Sequence, residues 1–520
     1  MIGRAASRRL RSMLLASCVV VAVAANAFAA SADRALLERL QKLEDEQARL
    51  QKELDAKDAR IDALQADLEA AKGKARAWVA EQETAPQGDG MPPVPLPDKE
   101  RGALATTDPK KKEPSAVGRA ISGVLGTYEQ GRGFGLARTE WGEVNFGIYT
   151  YLRYLNQKGV DDTYTNGLGQ KVQLDQREDL QLNKVKIEFR GWLIDPRFRY
   201  VLYSWTNQAV QGLGAQVVLG GNLNWVFGPW LTVGGGILSL PTTRSTQGNF
   251  PYWLTVDHRT ITDEFFRGSY SQGFFGYGQT GPVGYYAMLA NNLSTLGVDA
   301  NQMDADFTTF SGALWWMPTT GEFGPRSGFG DYEHHEDLAT RLGVHFSFSP
   351  EDKQSQPGTD DIDNTQIRLS NGTIVFTEGA LAPGVSVESV KYYMVDLDAG
   401  LKWKGFALEG EWYLRWLQDF RADGHLPTHE LFDHGFQLLA SHMVLPKTVQ
   451  VYTMGAYLFG EYGDSWETTA GVNWWIFRRR EVRVNLEYLY VDQSPIGYTA
   501  VPQQVGATGS VFTANVEMSF

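Results

Sequence analysis

The sequence predicts an all-β protein, a transmembrane antiparallel β-barrel of about 16 strands, preceded by an α-helical coiled coil. Three observations predict it. Apolar and polar residues alternate at period two through most of the chain after residue 142, as they do in strands with one oily and one wet face. The chain holds 55 Gly, 15 Trp, 22 Tyr and 26 Phe, yet beyond its first 30 residues it has no apolar run long enough for a membrane helix. It also opens with an export signal. An exported, aromatic-rich chain without membrane helices can satisfy its backbone in lipid only by closing strands on one another.

The first element is the export signal. Arg4, Arg8, Arg9 and Arg11 precede an apolar run from Met13 to Ala25, and Ala27-Phe28-Ala29 supplies a small-x-small cleavage site. Leu15-Ala16-Ser17-Cys18 resembles a lipoprotein box, but the apolar stretch continues past the cysteine. The expected signal peptide is residues 1–29, and Cys18 leaves with it. The mature chain then has no cysteine, which excludes disulfides, thiolate metal sites and a cysteine nucleophile. Loss of the four arginines takes 48 basic residues to 44 against 61 acidic ones, and the net charge from −13 to −17. That balance, with export, excludes a nucleic-acid partner.

From Leu36 the apolar residues step by four and three through Leu40, Leu43, Leu50, Leu54, Ile61, Leu64, Leu68 and Ala71, with Gln47 and Lys57 at two seam positions. This is a coiled coil of about five heptads, expected over residues 30–76, whose polar seam positions fix register at some cost in stability. A lone helix would leave that seam in water, so self-association is expected. Residues 77–141 read as a linker: "PQGDGMPPVPLPDKE" and "DPKKKEP" hold too much proline for helix or sheet.

The barrel is expected over residues 142–520. "EVNFGIYTYLRYL" puts Val144, Phe146, Ile148 and Leu152 on one face and Asn145, Tyr149, Tyr151 and Arg153 on the other. "NKVKIEFRGWL" sets Val185, Ile187 and Phe189 against Lys184, Lys186, Glu188 and Arg190, and "VDLDAGLKWKG" and "FALEGEWYLRW" place Asp396, Asp398, Lys402 and Lys404, then Glu409, Glu411 and Arg415, on the polar face. Trp412 and Trp416, and Trp474 and Trp475, mark interface girdles. "LPKT" and "FRRRE" are tight connections, whereas Pro350 to Val390 is a long polar excursion, the asymmetry of barrels with short turns on one side and long loops on the other. The 379 residues from 142 to 520, at roughly 24 per strand and connection, give about 16 strands. In a barrel of that size the polar face is the lumen.

The stretches "LNKVKIEFRGWLIDPRFRYVLYSW", "LTVGGGILSLPTTRSTQGNFPYWLTVDHRTITDEFF", "LDAGLKWKGFALEGEWYLRW" and "TTAGVNWWIFRRREVRVNLEYLYV" resemble the phosphate-selective porins O and P. The resemblance implies homotrimers of barrels in the outer membrane of a Gram-negative bacterium, each with its own pore, and a coiled coil in the periplasm. It implies that Phe520, closing an alternating strand, is read by the barrel-assembly machinery. It also implies that the segment around "SLPTTRSTQGNFPYWLTVDHRTITDEFFR" folds inward and brings Arg244, Arg259 and Arg267 to the solute path. Asp257, Asp263 and Glu264 in the same segment offer those arginines partners. Members that select phosphate often have Gly-Arg-Phe where this chain has Gly235-Gly236-Ile237, and the wall charges here are nearly balanced.

The expected function is a water-filled diffusion channel for small polar or anionic solutes, phosphate and polyphosphate among them, with Arg153, Lys184, Lys186, Arg190, Lys402, Lys404 and Arg415 lining the lumen. The alternative is an envelope tether whose barrel is only an anchor in outer-membrane lipid. No enzyme activity, cofactor or metal is expected. Ser441 and His442 are strand neighbours and point to opposite faces, and "YEHHED" at 332–337 reads as a solvated outer loop.

Overall fold

The structure, a computed structural model, describes residues 126–207, 216–294, 307–354, 362, 366–497 and 500–520, together with Lys52. The signal peptide and the coiled-coil seam lie outside the described residues, as does the linker up to residue 125. The chain divides into two units, Met1–Pro109 and Lys110–Phe520, and all the strands below belong to the second.

Two short strands, β1 (Tyr128–Glu129) and β2 (Gly133–Arg138), come first, inside the stretch expected to be linker. Then follow β3 (Gly142–Val160), β4 (Thr163–Thr165), β5 (Lys171–Gln173), β6 (Glu178–Leu193), β7 (Asp195–Asn207), β8 (Gln216–Gly228) and β9 (Leu231–Ser239). After a long connection come β10 (Tyr270–Thr280), β11 (Val283–Ala290), β12 (Thr309–Trp316), β13 (Ala339–Asp352) and β14 (Val387–Trp403). The last strands are β15 (Phe406–Ala422), β16 (Glu430–Leu445), β17 (Val449–Phe459), β18 (Ser465–Trp474), β19 (Val482–Asp492) and β20 (Gly509–Ser519).

Among the described residues, β3 and β6 to β20 pair antiparallel in sequence order, and β20 returns to β3 with Ala514 opposite Tyr154 and Val516 opposite Leu152. Sixteen strands therefore form a closed barrel with no free edge. The alternation decides the two faces. Leu152, Ile187, Leu397, Leu486 and Val516 stay exposed on the outside, while Arg153, Glu188, Asp398, Glu487 and Asn515 are buried within. At one junction the backbones come too close for any side chain, since a Cβ on Gly191 would lie 1.7 Å from the Glu143 carbonyl oxygen.

Strand parity sorts the connections. Seven lie at one end, called here the turn end, and six of these are 194, 229–230, 281–282, 404–405, 446–448 and 475–481. The seventh, 317–338, has 22 residues where a tight turn is due. This corrects the reading of "YEHHED" as an outer loop: residues 332–337 sit at the turn end, with Tyr332 buried against Met443 and Trp475. Trp475 is likewise not a girdle residue, because it packs inward while Trp474 faces out. At the opposite, loop end, the described part of 353–386 is not a purely polar excursion, since Ile367, Leu369, Val375 and Phe376 are buried with Tyr392 and Tyr413 in the main core.

The end of the chain is held at the turn end. Phe520 exchanges backbone hydrogen bonds with Ile148 at 3.0 and 2.8 Å. Where β20 stops, β2 takes over the same edge of β3, pairing Phe134 with Phe146. The Phe134 ring stacks on Phe520 with centroids 5.8 Å apart, and Tyr128 meets it edge-on at 5.9 Å.

Candidate functional site in the lumen

Two inserted segments divide the lumen. The first, residues 240–269, runs inward from the loop end between β9 and β10 and contains the short helix α1 (Ile261–Phe266), capped by the Thr260 side chain accepting from the Asp263 N–H. The second is 317–338 from the turn end. They meet where the Phe329 N–H donates to the Tyr252 carbonyl at 2.8 Å, and where Arg244 Nη2 donates to the Ser327 carbonyl at 3.2 Å.

The first segment is fastened to one side of the barrel. Arg483 Nη1 donates to the Trp253 carbonyl at 2.7 Å, Asn473 to the Leu254 carbonyl at 2.8 Å, and Arg153 Nη2 to the Val256 carbonyl at 2.9 Å. His258 Nε2 lies 2.8 Å from Glu487 Oε1, Thr260 Oγ1 donates to Gln437 at 2.5 Å, and the Phe266 ring stacks on Tyr413 at 5.4 Å. These anchors come from β3, β15, β16, β18 and β19. A loop with so many unsatisfied carbonyls stays inside a barrel only where wall donors meet them.

The three arginines expected at the path fall in different places. Arg244 is sealed from water. Its side chain is 1% exposed, ion-paired to Glu409, and its guanidinium stands 4.2 Å from the Phe329 ring centroid. Arg259 and Arg267 share one carboxylate: Arg259 Nη1 is 3.1 Å from Glu264 Oε1, and Arg267 Nε is 2.6 Å from Glu264 Oε2. Both keep some exposure, 12% and 11%, and Arg259 also lies 4.0 Å over the Trp253 ring.

The wall cations divide the same way. Arg415, whose side chain is 0% exposed, pairs with Asp433 at 2.6 Å beneath Phe265. Lys402 is buried and donates to the Phe323 carbonyl at 2.9 Å, and Arg153 is buried against Asn515. On β6, in contrast, Lys184, Lys186 and Arg190 are 18, 22 and 28% exposed. Lys184 pairs with Asp257 at 2.7 Å, Lys186 with Glu188 at 2.7 Å, and Arg190 also contacts Glu188. The Trp205 and Tyr203 rings lie 5.7 Å from Lys184 and 4.9 Å from Lys186. Lys404 does not line the lumen. It is the first residue of the two-residue turn between β14 and β15, with φ of 47° at Lys404 and 84° at Gly405, the backbone of a type I′ hairpin, and the strand alternation stops before it.

Reading the sequence alone places Asp257, Asp263 and Glu264 beside the arginines but misses that Asp257 pairs with Lys184, that Glu264 serves both Arg259 and Arg267, and that 317–338 is an inserted segment. That segment is held at its base by His335, whose Nδ1 lies 2.5 Å from Asp331 and whose Nε2 lies 2.9 Å from Glu322. The bond to Asp331, with the Glu322 charge, lifts the His335 pKa above its ordinary value. Burial works to raise the Asp331 pKa, but the bonds from His335 and the Gly405 N–H outweigh it and hold that carboxyl below its ordinary value. Among the described residues no group of three or more His, Cys, Asp or Glu is placed to hold a metal ion.

No family model and no curated protein matches the chain. Among solved structures, it is similar to an anion-selective porin from Comamonas acidovorans, at 14% identity over 73% of this chain and 100% of that one, with a TM-score of 0.45. It is similar to the outer membrane channel DcaP of Acinetobacter baumannii, at 7% identity over 75% and 99%, TM-score 0.45. A third likeness is OmpT, an outer membrane protein of Vibrio cholerae folded in vitro, at 10% identity over 74% and 99%, TM-score 0.45.

Proposed function

We propose that the chain is an outer-membrane porin, a water-filled diffusion channel for small anions whose path runs along the β6 wall. The observation that supports this most is the uneven cover of the lumen. The inserted segments bury the inward-facing Lys402, Arg415 and Arg483 of β14 to β20, whereas Lys184, Lys186 and Arg190 keep contact with water, together with Arg259 and Arg267 on the facing segment. Arginine and lysine held at a narrow, partly dry place set an electrostatic well for anions that salt screens less than it would on an open surface. Guanidinium forks match carboxylate and phosphate geometry. Since Glu264, Glu188 and Asp257 balance much of this charge, inorganic phosphate and polyphosphate pass as members of a general anion class.

In this reading the barrel sits in the outer membrane with its turn end toward the periplasm, where the coiled coil joins copies into a homotrimer. Phe520 acts as the terminal signal for the assembly machinery, and its deletion lowers the outer-membrane level in a matched expression comparison. The channel is tested by reversal potential in planar bilayers under a potassium chloride gradient. An anion-selective wild type supports the reading. Absence of conductance leaves the tether.

A further inference from the structure

At the turn end the lumen opens into a cleft with a cavity volume of about 70 Å³, lined by Lys186, Arg190, Arg132, Arg480, Arg326 and Tyr252, among others. Its charge is only partly cancelled by Glu188 and Glu481 in the lining, and Glu481 pairs with Arg479 outside it. Arg132 pairs with Glu129 and Glu143, and Arg480 with Glu333, but Lys186 and Arg190 share the single carboxylate Glu188. Arg190 Nε is buried with no partner. Arg326 makes no ion pair among the described residues, although it is exposed within the cleft.

Arg326 is also held there by a costly backbone. It has φ 52°, and Ser327 after it φ 50°, two successive non-glycine residues in the left-handed region, which such side chains disfavour. Its Nη1 donates to the Phe250 carbonyl at 2.9 Å, and its guanidinium lies 5.7 Å from the Tyr252 ring centroid. Strain of this kind persists where surrounding contacts fix it, and here they aim a donor fork into water beside two under-compensated cations.

We propose that this cleft is a second oxyanion-binding station and that Arg326, delivered by the inserted segment 317–338, is its specificity-determining residue. The inference rests on the reading of the lumen as an anion path. The ligand is a small oxyanion, carboxylate or phosphate, received by the Arg326 fork on one side and by Lys186 and Arg190 on the other. The station is separate from the Arg259 and Arg267 pair, so an anion crossing the barrel is handed between two sites, as conduction through multi-site pores requires.

The test uses the purified full chain in planar bilayers, with sodium phosphate or sodium acetate titrated into a constant chloride background. The wild type shows saturable reduction of the chloride current, with phosphate more effective than acetate. Arg326→Gln raises the half-blocking concentration roughly tenfold, the loss of one charge-assisted contact. Arg326→Lys, which keeps the charge without the fork, gives a smaller rise. An anion-selective wild type whose half-blocking concentration is unmoved in both variants overturns the inference alone. A wild type with no anion preference overturns the reading of the lumen as an anion path, and the inference with it.

Discussion

The two sides of one lumen use the same residue types for opposite ends. Along β14 to β20, the inward-facing Lys402, Arg415 and Arg483 are sealed under the inserted segments and pair with carboxylates or loop carbonyls, as Arg415 does with Asp433 and Arg483 with Glu517 and the Trp253 carbonyl. Along β6, Lys184, Lys186 and Arg190 also pair, yet stay 18 to 28% exposed. Sign of charge does not tell a lumen residue's job. Cover does, because a buried ion that loses its partner is left desolvated, whereas a wetted one regains water.

The largest expected effect is on the covered side. Arg244→Ala leaves Glu409 buried without its ion pair and removes the bonds to the Ser327 and Gly328 carbonyls. A loss of about 3–5 kcal/mol follows from stranding a buried charge. It appears as a lower temperature for loss of the compact, heat-modifiable band in detergent gels and as noisier current. The same band and current in the variant would break the contrast between the two sides.

Arg259→Ala and Arg267→Ala sharpen it. Each leaves the buried Glu264 one of its two guanidinium partners, so stability falls by less than in Arg244→Ala, while the lost positive charge moves selectivity toward cations. A stability loss equal to that of Arg244→Ala, with unchanged reversal potential, would place both arginines on the structural side.

A third test concerns the base of 317–338. Because the His335 pKa is raised, its bonds stabilise the segment fully below about 6.5, its ordinary value, and the contribution is lost as pH rises through the raised value. The Asp331 pKa is lowered, so its contribution is present above its ordinary value and lost only as pH falls through the lowered one. Protection of the amides in 317–338, the observed exchange rate set against the intrinsic rate at the same pH, is therefore greatest in the mildly acidic window between these limits and falls above neutrality. In His335→Gln that alkaline step disappears. The smallest effect is at Lys404, where Lys404→Ala changes neither reversal potential nor, beyond about 0.5 kcal/mol, stability.

Period-two alternation made the closed barrel and the inward face of β3, β6, β14 and β15 readable, because the side-chain period of a strand is fixed by its backbone. It did not say where a strand ends. Lys404 continued the pattern by identity, and only the following Gly405, a turn signal, marked the break. The pairing of Arg259 and Arg267 with Glu264 was within reach, since these residues lie in one short segment. The burial of Arg244 was not, because Glu409 comes from a strand 165 residues further on. Nor was 317–338 recognised as an insertion, although counting connections by parity exposes it: a long segment stands where a tight turn is due.

The central claim is that the wetted β6 cations, and not the covered ones, set the channel's preference. It is tested most directly by the reversal potential in a tenfold potassium chloride gradient for wild type and for the triple variant Lys184→Gln, Lys186→Gln and Arg190→Gln. The account predicts a potential on the anion side for wild type that falls to zero or crosses to the cation side in the triple variant. A folded triple variant that keeps the wild-type potential would contradict it.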